Sequence, residues 1–259
     1  MKNRYLFFEQ FGVAVKSYLK ALSFVFNNGL WIYFIYPVII TVLLIVGGFT
    51  LITSISEALE MWILDFLNLD NTGSWLKFIH FFIHIGLNII FFFIYLTLNK
   101  YILLILMSPV MASLSEKTDQ IINGTLYAFD IRQFIKDVFR GIGIAFRNMF
   151  IEFSFIFLCF IVVWIPVIGW VSPVFLYLLS CYFYGFSMID YTSERRKLKL
   201  SDSIKYIRKN KGLAIGNGFV FSLLFAVPFV GGMVSAILAP VAATIAVFET
   251  EKNKYQIDK

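Results

Sequence analysis

Apolar and polar residues follow a helical period from the start of the chain. In residues 1–28 the large apolar side chains recur at steps of three and four, and Gln10, Lys16 and Lys20 lie between them. The apolar members are Phe8, Phe11, Val15, Leu19, Leu22 and Phe26. This spacing gives one apolar stripe and one polar face, which predicts an amphipathic helix lying in a membrane surface.

Two long apolar stretches follow this helix. Residues 30–56 carry no charged side chain, and a helix needs roughly 20 apolar residues to cross about 30 Å of hydrocarbon. A second stretch over 76–108 can cross back, after which the chain turns polar and reaches the helix stop signal Asn123-Gly124. The pattern therefore predicts two long transmembrane helices, with Pro37 close to the start of the first.

The segment between these stretches, residues 57–75, carries several carboxylates and no lysine or arginine. The nearest basic residue is Lys77, just beyond its end. Glu60, Asp65 and Asp70 are among its acidic residues. Because lysine and arginine accumulate in cytoplasmic segments, this segment is predicted to be a loop outside the cell. The N-terminus is then predicted to lie in the cytoplasm.

A second amphipathic helix is predicted over residues 130–148. Its apolar residues share one face, whereas Arg132, Lys136 and Arg140 follow each other at four-residue spacing on the other. We expect this helix to lie along the inner membrane surface, with its basic side chains at lipid phosphates.

The last hundred residues repeat one plan twice: an apolar helix, a Pro-x-x-Gly turn and another apolar helix. The two hairpins cover residues 149–191 and 213–248, with turns at 166–169 and 228–231. These turns carry no charge although turns in water are normally polar, and each arm is borderline in length for a full crossing. We favour re-entrant hairpins that enter from the cytoplasm and stop inside the bilayer, packed on other helices. Two ordinary helical hairpins are the alternative.

Composition agrees with this pattern. The 259 residues are 59% hydrophobic and 15% charged, whereas a soluble domain is about 45–50% apolar and about 25% charged. The whole chain, 1–259, is thus predicted to be a single all-α integral membrane domain. The net charge of +6 is assigned to topology and to contact with anionic membrane lipids rather than to nucleic acid binding.

Polar side chains on one face of the second long helix are the first candidates for chemistry. His80, His84 and Asn88 share this face with Lys77 and Tyr95. Polar residues at membrane depth face a bundle interior or a wet path, and imidazole is the side chain that changes charge near neutral pH. The first three are therefore candidates for a pore or a proton relay, with interhelical hydrogen bonding as the alternative. A metal site is disfavoured because no motif places a third ligand with the two histidines.

The sequence shows no catalytic motif. It has no nucleophile elbow, phosphate-binding glycine-rich loop or zinc-protease motif. Gly216-Asn217-Gly218 lies in an apolar helix and indicates close helix packing, and Glu152 is interpreted as interfacial. We therefore expect neither an enzyme nor a bound cofactor.

Asn28, Gly29 and Leu30, ahead of the first long helix, are the candidates for anion binding. Asparagine and glycine before a helix have N-cap chemistry, and the free N–H groups at a helix start bind oxyanions. Helix capping alone is the simpler interpretation of the same residues.

Three segments resemble one known family. Residues 28–37 are similar to a Gly-Leu pair followed by an apolar run and proline, residues 108–117 to a segment ending in Leu-Ala-Glu-Lys, and the late hairpin to a Pro-x-x-Gly turn. In this succession the chain resembles the sulfate permeases of the CysZ type and the related etoposide-induced-protein domain. The resemblance implies two long transmembrane helices, two partly inserted hairpins, homo-oligomers, and passage of sulfate into bacterial cells across the inner membrane.

One position departs from the family pattern. Family members that bind sulfate carry basic residues directly after the Gly-Leu pair, and here Trp31 and Ile32 stand in those places. By the resemblance, the expected function is a passive or ion-coupled permease or channel for a small oxyanion, sulfate first. A non-transporting membrane-shaping or assembly protein, with half-inserted hairpins as wedges, is the alternative.

Overall fold

The computed structural model describes residues 2–67, 74–124, 131–162, 168–196, 198–227 and 230–257. Within these ranges every regular element is a helix and none is a strand. The order is α1 (Lys2–Asn27), a 3-10 turn (Leu30–Phe34), α2 (Ile35–Phe66), α3 (Ser74–Asn123), α4 (Ile131–Val162), α5 (Ile168–Arg195), α6 (Leu200–Lys209), α7 (Lys211–Phe225) and α8 (Gly231–Ile257). The all-helical prediction is confirmed for this part of the chain.

Among the described residues, five helical segments are long and apolar enough to cross a membrane. They are Leu30–Phe66, Lys77–Leu96, Phe139–Ile161, Gly169–Glu194 and Gly231–Lys252. Helix α7 is also apolar but has only 15 residues. Large apolar side chains are exposed along much of the first two segments, as a lipid-facing surface requires. The prediction of a multi-pass membrane protein is confirmed at this level.

Helix α2 extends further than the hydrophobic pattern predicted. It passes through Glu57 and Glu60 to Phe66, so the prediction of a loop around Asp65 is wrong. The physical reason is helix propensity: glutamate, alanine, leucine and methionine dominate this stretch, and all four are strong helix formers. Asp70 belongs to residues 68–73, which lie outside the described residues.

Helix α4 joins two stretches that the sequence pattern separated. The predicted amphipathic helix and the first arm of the first hairpin form one continuous helix, Ile131–Val162. Gly141 and Gly143 lie within it, and isolated glycines are tolerated inside a helix when no proline or capping residue accompanies them. Asp130, the expected first residue, lies outside the described residues.

Helix α3 ends where the sequence predicted. It runs unbroken past Pro109 to Asn123, and Gly124 has a φ of +68°, the left-handed conformation that glycine adopts most easily at helix ends. The turn residues 163–167 and 228–229 of the two hairpins lie outside the described residues.

The chain folds as two compact units. The smaller one comprises Ile39–Leu103, and the larger one combines Met1–Val38 with Leu104–Lys259. In the smaller unit, the hydroxyl of Tyr95 donates to the carbonyl oxygen of Leu44 at 2.7 Å. The Tyr95 ring also covers Gly48, where a Cβ atom would lie 2.4 Å from the ring. The two helices of this unit therefore approach each other closely at Gly48.

Helix α8 is the most buried helix of the larger unit. Every residue from position 235 to position 247 is buried, and α1, α5 and α7 all pack against this helix. The close approach of α5 and α7 depends on glycine. A Cβ atom at Gly218 would lie 1.7 Å from the carbonyl oxygen of Cys181. The close packing predicted around Gly216-Asn217-Gly218 is confirmed.

Helix α1 packs on the other helices of the larger unit through its small and polar face. The buried residues on this face are Gln10, Ala14, Ser17, Tyr18, Ala21 and Val25. Gln10 donates to the side chain of Asn210 at 2.9 Å, and Tyr18 donates to the carbonyl oxygen of Asn217 at 2.9 Å. Burial raises the pKa of Tyr18 well above its ordinary value. Four residues of the predicted apolar stripe are exposed, namely Phe8, Leu19, Leu22 and Phe26, whereas Phe11 contacts Phe219 of α7. Contact of the stripe with lipid stays a prediction.

Candidate functional site

The turn after α1 brings together the three predicted anion-binding residues. Gly29 has a φ of 69°, a conformation that favours glycine. The backbone N–H of Asn28 bonds to the carbonyl oxygen of Phe24 at 3.1 Å, and its side-chain amide donates to the same oxygen at 2.9 Å. Asn28 thus caps the end of α1 and does not cap the start of the next helix, so the N-cap interpretation is wrong for this side chain.

The 3-10 turn that follows exposes the two residues that stand at the family's basic positions. Leu30 is buried, which anchors the turn on the larger unit, whereas Trp31 and Ile32 are more than half exposed. Since the N–H of Gly29 points to the carbonyl oxygen of Phe26 at 3.5 Å, Leu30 is the candidate whose N–H group lies at the start of the new helix. Anion binding by these three residues stays a prediction. Leu30 is the one whose backbone N–H best fits that prediction.

A lysine from a distant segment lies beside this turn. The Nζ atom of Lys117 on α3 is 5.3 Å from the centre of the Tyr33 ring, a distance at which a cation is attracted by an aromatic face. Lys117 is exposed. Contact between Tyr33 and Lys117 brings together the two family-like segments, residues 28–37 and 108–117, which are far apart in the sequence.

A cluster in the smaller unit joins both histidines to one carboxylate. The Nδ1 atom of His80 lies 3.2 Å from one oxygen of Glu60, and the Nδ1 atom of His84 lies 2.8 Å from the other. The side chain of Glu60 is 14% exposed, and those of His80 and His84 are 30% and 48% exposed. The four-residue spacing of the histidines puts both rings on one face of α3, toward α2.

Glu60 was not singled out by the sequence pattern because it lies in a stretch interpreted as a loop. Asn88, predicted to act with the histidines, instead donates to the carbonyl oxygen of His84 at 2.9 Å. Within the described part of the chain, no group of His, Cys, Asp or Glu side chains is arranged to hold a metal ion. The geometry therefore indicates an imidazole–carboxylate hydrogen-bond cluster.

A buried ion pair connects α4, α5 and α6. Arg140 donates to both carboxylate oxygens of Asp190, at 3.0 and 2.9 Å, and to the carbonyl oxygen of Leu198 at 2.7 Å. Ser203 donates to the same carboxylate. Asp190 is only 3% exposed. The expectation that Arg140 reaches lipid phosphates is wrong, because this bidentate pair holds its guanidinium inside the unit.

Glu152 is a second buried carboxylate of this unit. It is 3% exposed and accepts a hydrogen bond from the hydroxyl of Ser180 on α5 at 2.6 Å. Glu152 thus lies inside the unit with a partner on α5, and its position at the membrane interface stays a prediction. A buried carboxylate needs a donor, and the sequence gives no sign that Ser180 supplies it.

The positive charge of Arg196, directly after α5, is neutralised by a carboxylate of α8. Arg196 binds both oxygens of Glu251, with Nη2 to Oε2 at 2.8 Å, and Tyr206 donates to Glu251 at 3.2 Å. Burial, together with the nearby charge of Glu251, raises the pKa of Tyr206 above its ordinary value. Arg196 therefore contributes little free positive charge to the basic segment around it.

Comparison with known families matches most of the chain. The model of one family, described as "Sulfate transporter CysZ/Etoposide-induced protein 2.4", covers residues 17–235. The matched range includes the Gly29 turn, the Lys117 segment and both helices of the smaller unit. The chain therefore belongs to the sulfate transporter CysZ/etoposide-induced protein 2.4 family.

Proposed function

We propose that this protein is a permease or channel of the bacterial inner membrane for a small oxyanion, with sulfate as the first candidate. The match of residues 17–235 to a family whose description names a sulfate transporter carries this proposal. Five segments long enough to span a membrane support it. Transport rather than catalysis is proposed, and no cofactor is invoked.

The proposed topology places the N-terminus in the cytoplasm and the end of α2 outside. The segments Leu30–Phe66 and Lys77–Leu96 are the two long transmembrane helices. The second hairpin is proposed to be re-entrant because α7 has 15 residues, about 22 Å at 1.5 Å per residue, against about 30 Å of hydrocarbon. For the first hairpin the proposal rests on its uncharged turn alone, because both of its arms, Phe139–Ile161 and Gly169–Glu194, are long enough to cross. A homo-oligomer with lipid contacts completes the proposal.

The proposed anion site lies at the 3-10 turn. The N–H of Leu30 supplies a donor at a helix start, and Lys117 supplies the positive charge that Trp31 and Ile32 do not. Its contact with Tyr33 at 5.3 Å supports this assignment, because it holds the lysine beside the turn.

The membrane potential opposes entry of a divalent anion. In a cell that is 100 mV negative inside, sulfate uptake costs about 4.6 kcal/mol, and the sequence has no ATP-binding motif. Uptake must then depend on consumption of sulfate inside the cell or on entry of cations with it.

Flux into proteoliposomes tests the function. Vesicles with the purified protein should accumulate radiolabelled sulfate faster than protein-free vesicles, and unlabelled sulfate should compete. Uptake no greater than that of empty vesicles, under any pH or salt gradient and for several anions, would instead favour the membrane-shaping alternative.

Lys117→Gln tests the proposed site in the same assay. Loss of the charge should raise the half-saturating sulfate concentration about tenfold, equivalent to about 1.4 kcal/mol. Lys16→Gln removes an exposed lysine from α1 and serves as the matched control. Equal half-saturating concentrations in both variants would remove Lys117 from the site.

A further inference from the structure

We infer that Arg147, Tyr182 and Arg208 form a binding site for the phosphate group of an anionic phospholipid. Their side chains come from α4, α5 and α6, all within the larger unit. The inference is carried by two guanidinium groups that meet at one tyrosine and form no ion pair with a carboxylate of the described residues. It does not depend on the proposed transport function.

Arg147 and Tyr182 both border the buried ring of Phe186. The guanidinium carbon of Arg147 lies 5.5 Å from the centre of this ring, and the centres of the Tyr182 and Phe186 rings are 6.2 Å apart. Arg208 is within hydrogen-bonding reach of the Tyr182 hydroxyl, and the charge of Arg147 also acts on that hydroxyl. Two positive charges therefore lie around one phenol group.

These two arginines differ from the paired arginines of the same unit. Arg140 and Arg196 each bind a carboxylate, whereas no carboxylate in the described part of the chain forms an ion pair with Arg147 or Arg208. Two like charges near one another repel, and an anion between them turns this repulsion into attraction. An anionic ligand would supply that counter-charge.

Buried neighbours hold both arginines in place. Arg147 donates to the side chain of Asn148 at 3.3 Å, and Asn148, itself buried, donates to the hydroxyl of Ser187 at 3.3 Å. Arg208 directly follows Ile207, which is fully buried and anchors α6. A guanidinium has five N–H groups, so Arg147 keeps donors for a ligand after its bond to Asn148.

The chemistry of these groups suits the phosphate of a lipid with net negative charge. A guanidinium binds two phosphate oxygens through parallel N–H groups. The Tyr182 hydroxyl can accept a hydrogen bond from Arg208 and donate its own proton to a phosphate oxygen. Because a phosphodiester brings one negative charge to two guanidiniums, a headgroup that also carries a cation, such as choline, is disfavoured.

Helices α4 and α5 run antiparallel beside this site. The ring centres of Phe155 and Phe175 are 5.7 Å apart, while Arg147 lies on Phe186. The residues that follow Arg147 and those that precede Tyr182 therefore extend toward the same end of the helix pair. In the proposed topology this end lies inside the bilayer, and Arg147, about 22 Å before the end of α4, lies at the inner membrane surface.

Exposed apolar side chains continue from the site toward that end. Phe150 lies one turn after Arg147 on α4, and it is exposed. Leu178 and Phe175, one and two turns before Tyr182 on α5, are exposed as well. Charge at the membrane surface with apolar surface toward the bilayer interior matches a phospholipid, whose acyl chains would lie along these side chains. A free phosphate ion would use the charged part alone.

Native mass spectrometry of the detergent-solubilised protein, titrated with lipid, tests the site. Phosphatidylglycerol should bind about tenfold more tightly than phosphatidylcholine, which has the same phosphate but a cationic choline. The double variant Arg147→Gln, Arg208→Gln should bind phosphatidylglycerol about tenfold more weakly than the wild type. Equal affinity of the wild type for the two lipids, or equal affinity of wild type and double variant for phosphatidylglycerol, would overturn the inference.

The double variant Lys16→Gln, Lys252→Gln is the matched control for charge. It removes two exposed lysines from α1 and α8 and so lowers the net charge by the same amount. Its affinity for phosphatidylglycerol should stay within about twofold of the wild type. An equal loss in both double variants would show that net charge, and not this site, attracts the lipid, and would overturn the inference.

Circular dichroism and gel filtration establish that each variant is folded. If the loss of Arg147 unfolds the protein, Arg208→Gln alone carries the test, because its side chain is exposed. This single variant should weaken phosphatidylglycerol binding about threefold. Arg208→Lys keeps the charge without the parallel N–H groups, so its loss should be smaller. Wild-type affinity in Arg208→Gln would overturn the inference.

Glycerophosphoglycerol distinguishes a lipid site from a site for a soluble phosphate. It is the headgroup of phosphatidylglycerol without acyl chains, and at equal concentration it should not displace the lipid. Displacement as efficient as that by unlabelled phosphatidylglycerol would overturn the assignment to a lipid. None of these measurements needs transport, so absence of sulfate uptake would overturn the proposed function and leave this inference standing.

Discussion

At the scale of single residues, buried charges are held by partners far away in the sequence. Asp190 is almost completely buried, yet it receives donors from Arg140 and Ser203. Removing one partner of such a pair leaves an uncompensated charge in a medium of low polarity, which costs more than the pair itself contributes.

Asp190→Asn should therefore destabilise the larger unit strongly. We expect a loss of about 3 kcal/mol, because the Arg140 guanidinium, whose side chain is only 19% exposed, is left without its counter-charge. Thermal unfolding of the detergent-solubilised protein, followed by tryptophan fluorescence, measures the change in melting temperature.

Asp202→Asn is the matched control for this prediction. Asp202 pairs with Lys205 at 3.3 Å, but both side chains are about half exposed or more, and such surface pairs contribute little. A melting temperature equally low in both variants would contradict the special role of Asp190.

At the scale of helices, the contact between α5 and α7 depends on two glycines that carry no Cβ atom. Gly218 lies against the carbonyl oxygen of Cys181, and Gly185 lies against that of Ala214, with room for no Cβ atom at either position. Small residues at such crossings let backbones approach closely, and this contact stabilises helix pairs in membranes.

Gly218→Ala should push α5 and α7 apart. The added methyl group would lie 1.7 Å from a backbone oxygen, which no side-chain rotation can relieve, so we expect a large loss of stability. Cys181 is buried at this contact, and in a Cys159→Ser background its reaction with a thiol reagent should become faster.

Gly143→Ala provides the comparison within α4. A Cβ atom at Gly143 meets nothing within 4 Å, and alanine favours helix by about 0.5–1 kcal/mol over glycine. This variant should be as stable as the wild type or more so. Equal effects of the two substitutions would exclude close packing as the reason for Gly218.

Sequence patterns predicted where the helices lie far better than which side chains meet between them. Periodicity and glycine placement indicate the stop at Gly124 and the packing around Gly218, because both are local. The contact of Glu60 with the histidines and that of Asp190 with Arg140 depend on how separate helices pair, which periodicity does not encode. Lys117 was part of a family-like segment, but its place beside Tyr33 follows only from the fold.

At the scale of the whole molecule, topology decides which groups meet which compartment. The proposed orientation follows from the asymmetric placement of lysine and arginine. The proposed re-entrant hairpins follow from turn sequences that carry no charge, whereas turns in water are normally polar. Both proposals can be tested on the intact protein in cells, with one reactive cysteine at a time.

Single cysteines in a background without Cys159 and Cys181 provide this test. Asn71→Cys should react with a membrane-impermeant thiol reagent added outside, because the proposed topology puts the segment between the two long transmembrane helices there. Gly169→Cys and Gly232→Cys, beside the two Pro-x-x-Gly turns, should stay unlabelled from outside, since a re-entrant turn is shielded by protein and lipid. Lys199→Cys, which the proposed topology puts on the cytoplasmic side, should react only after permeabilisation and so controls for leakage. Rapid labelling of Gly169→Cys and Gly232→Cys in intact cells would replace the re-entrant hairpins with full membrane crossings.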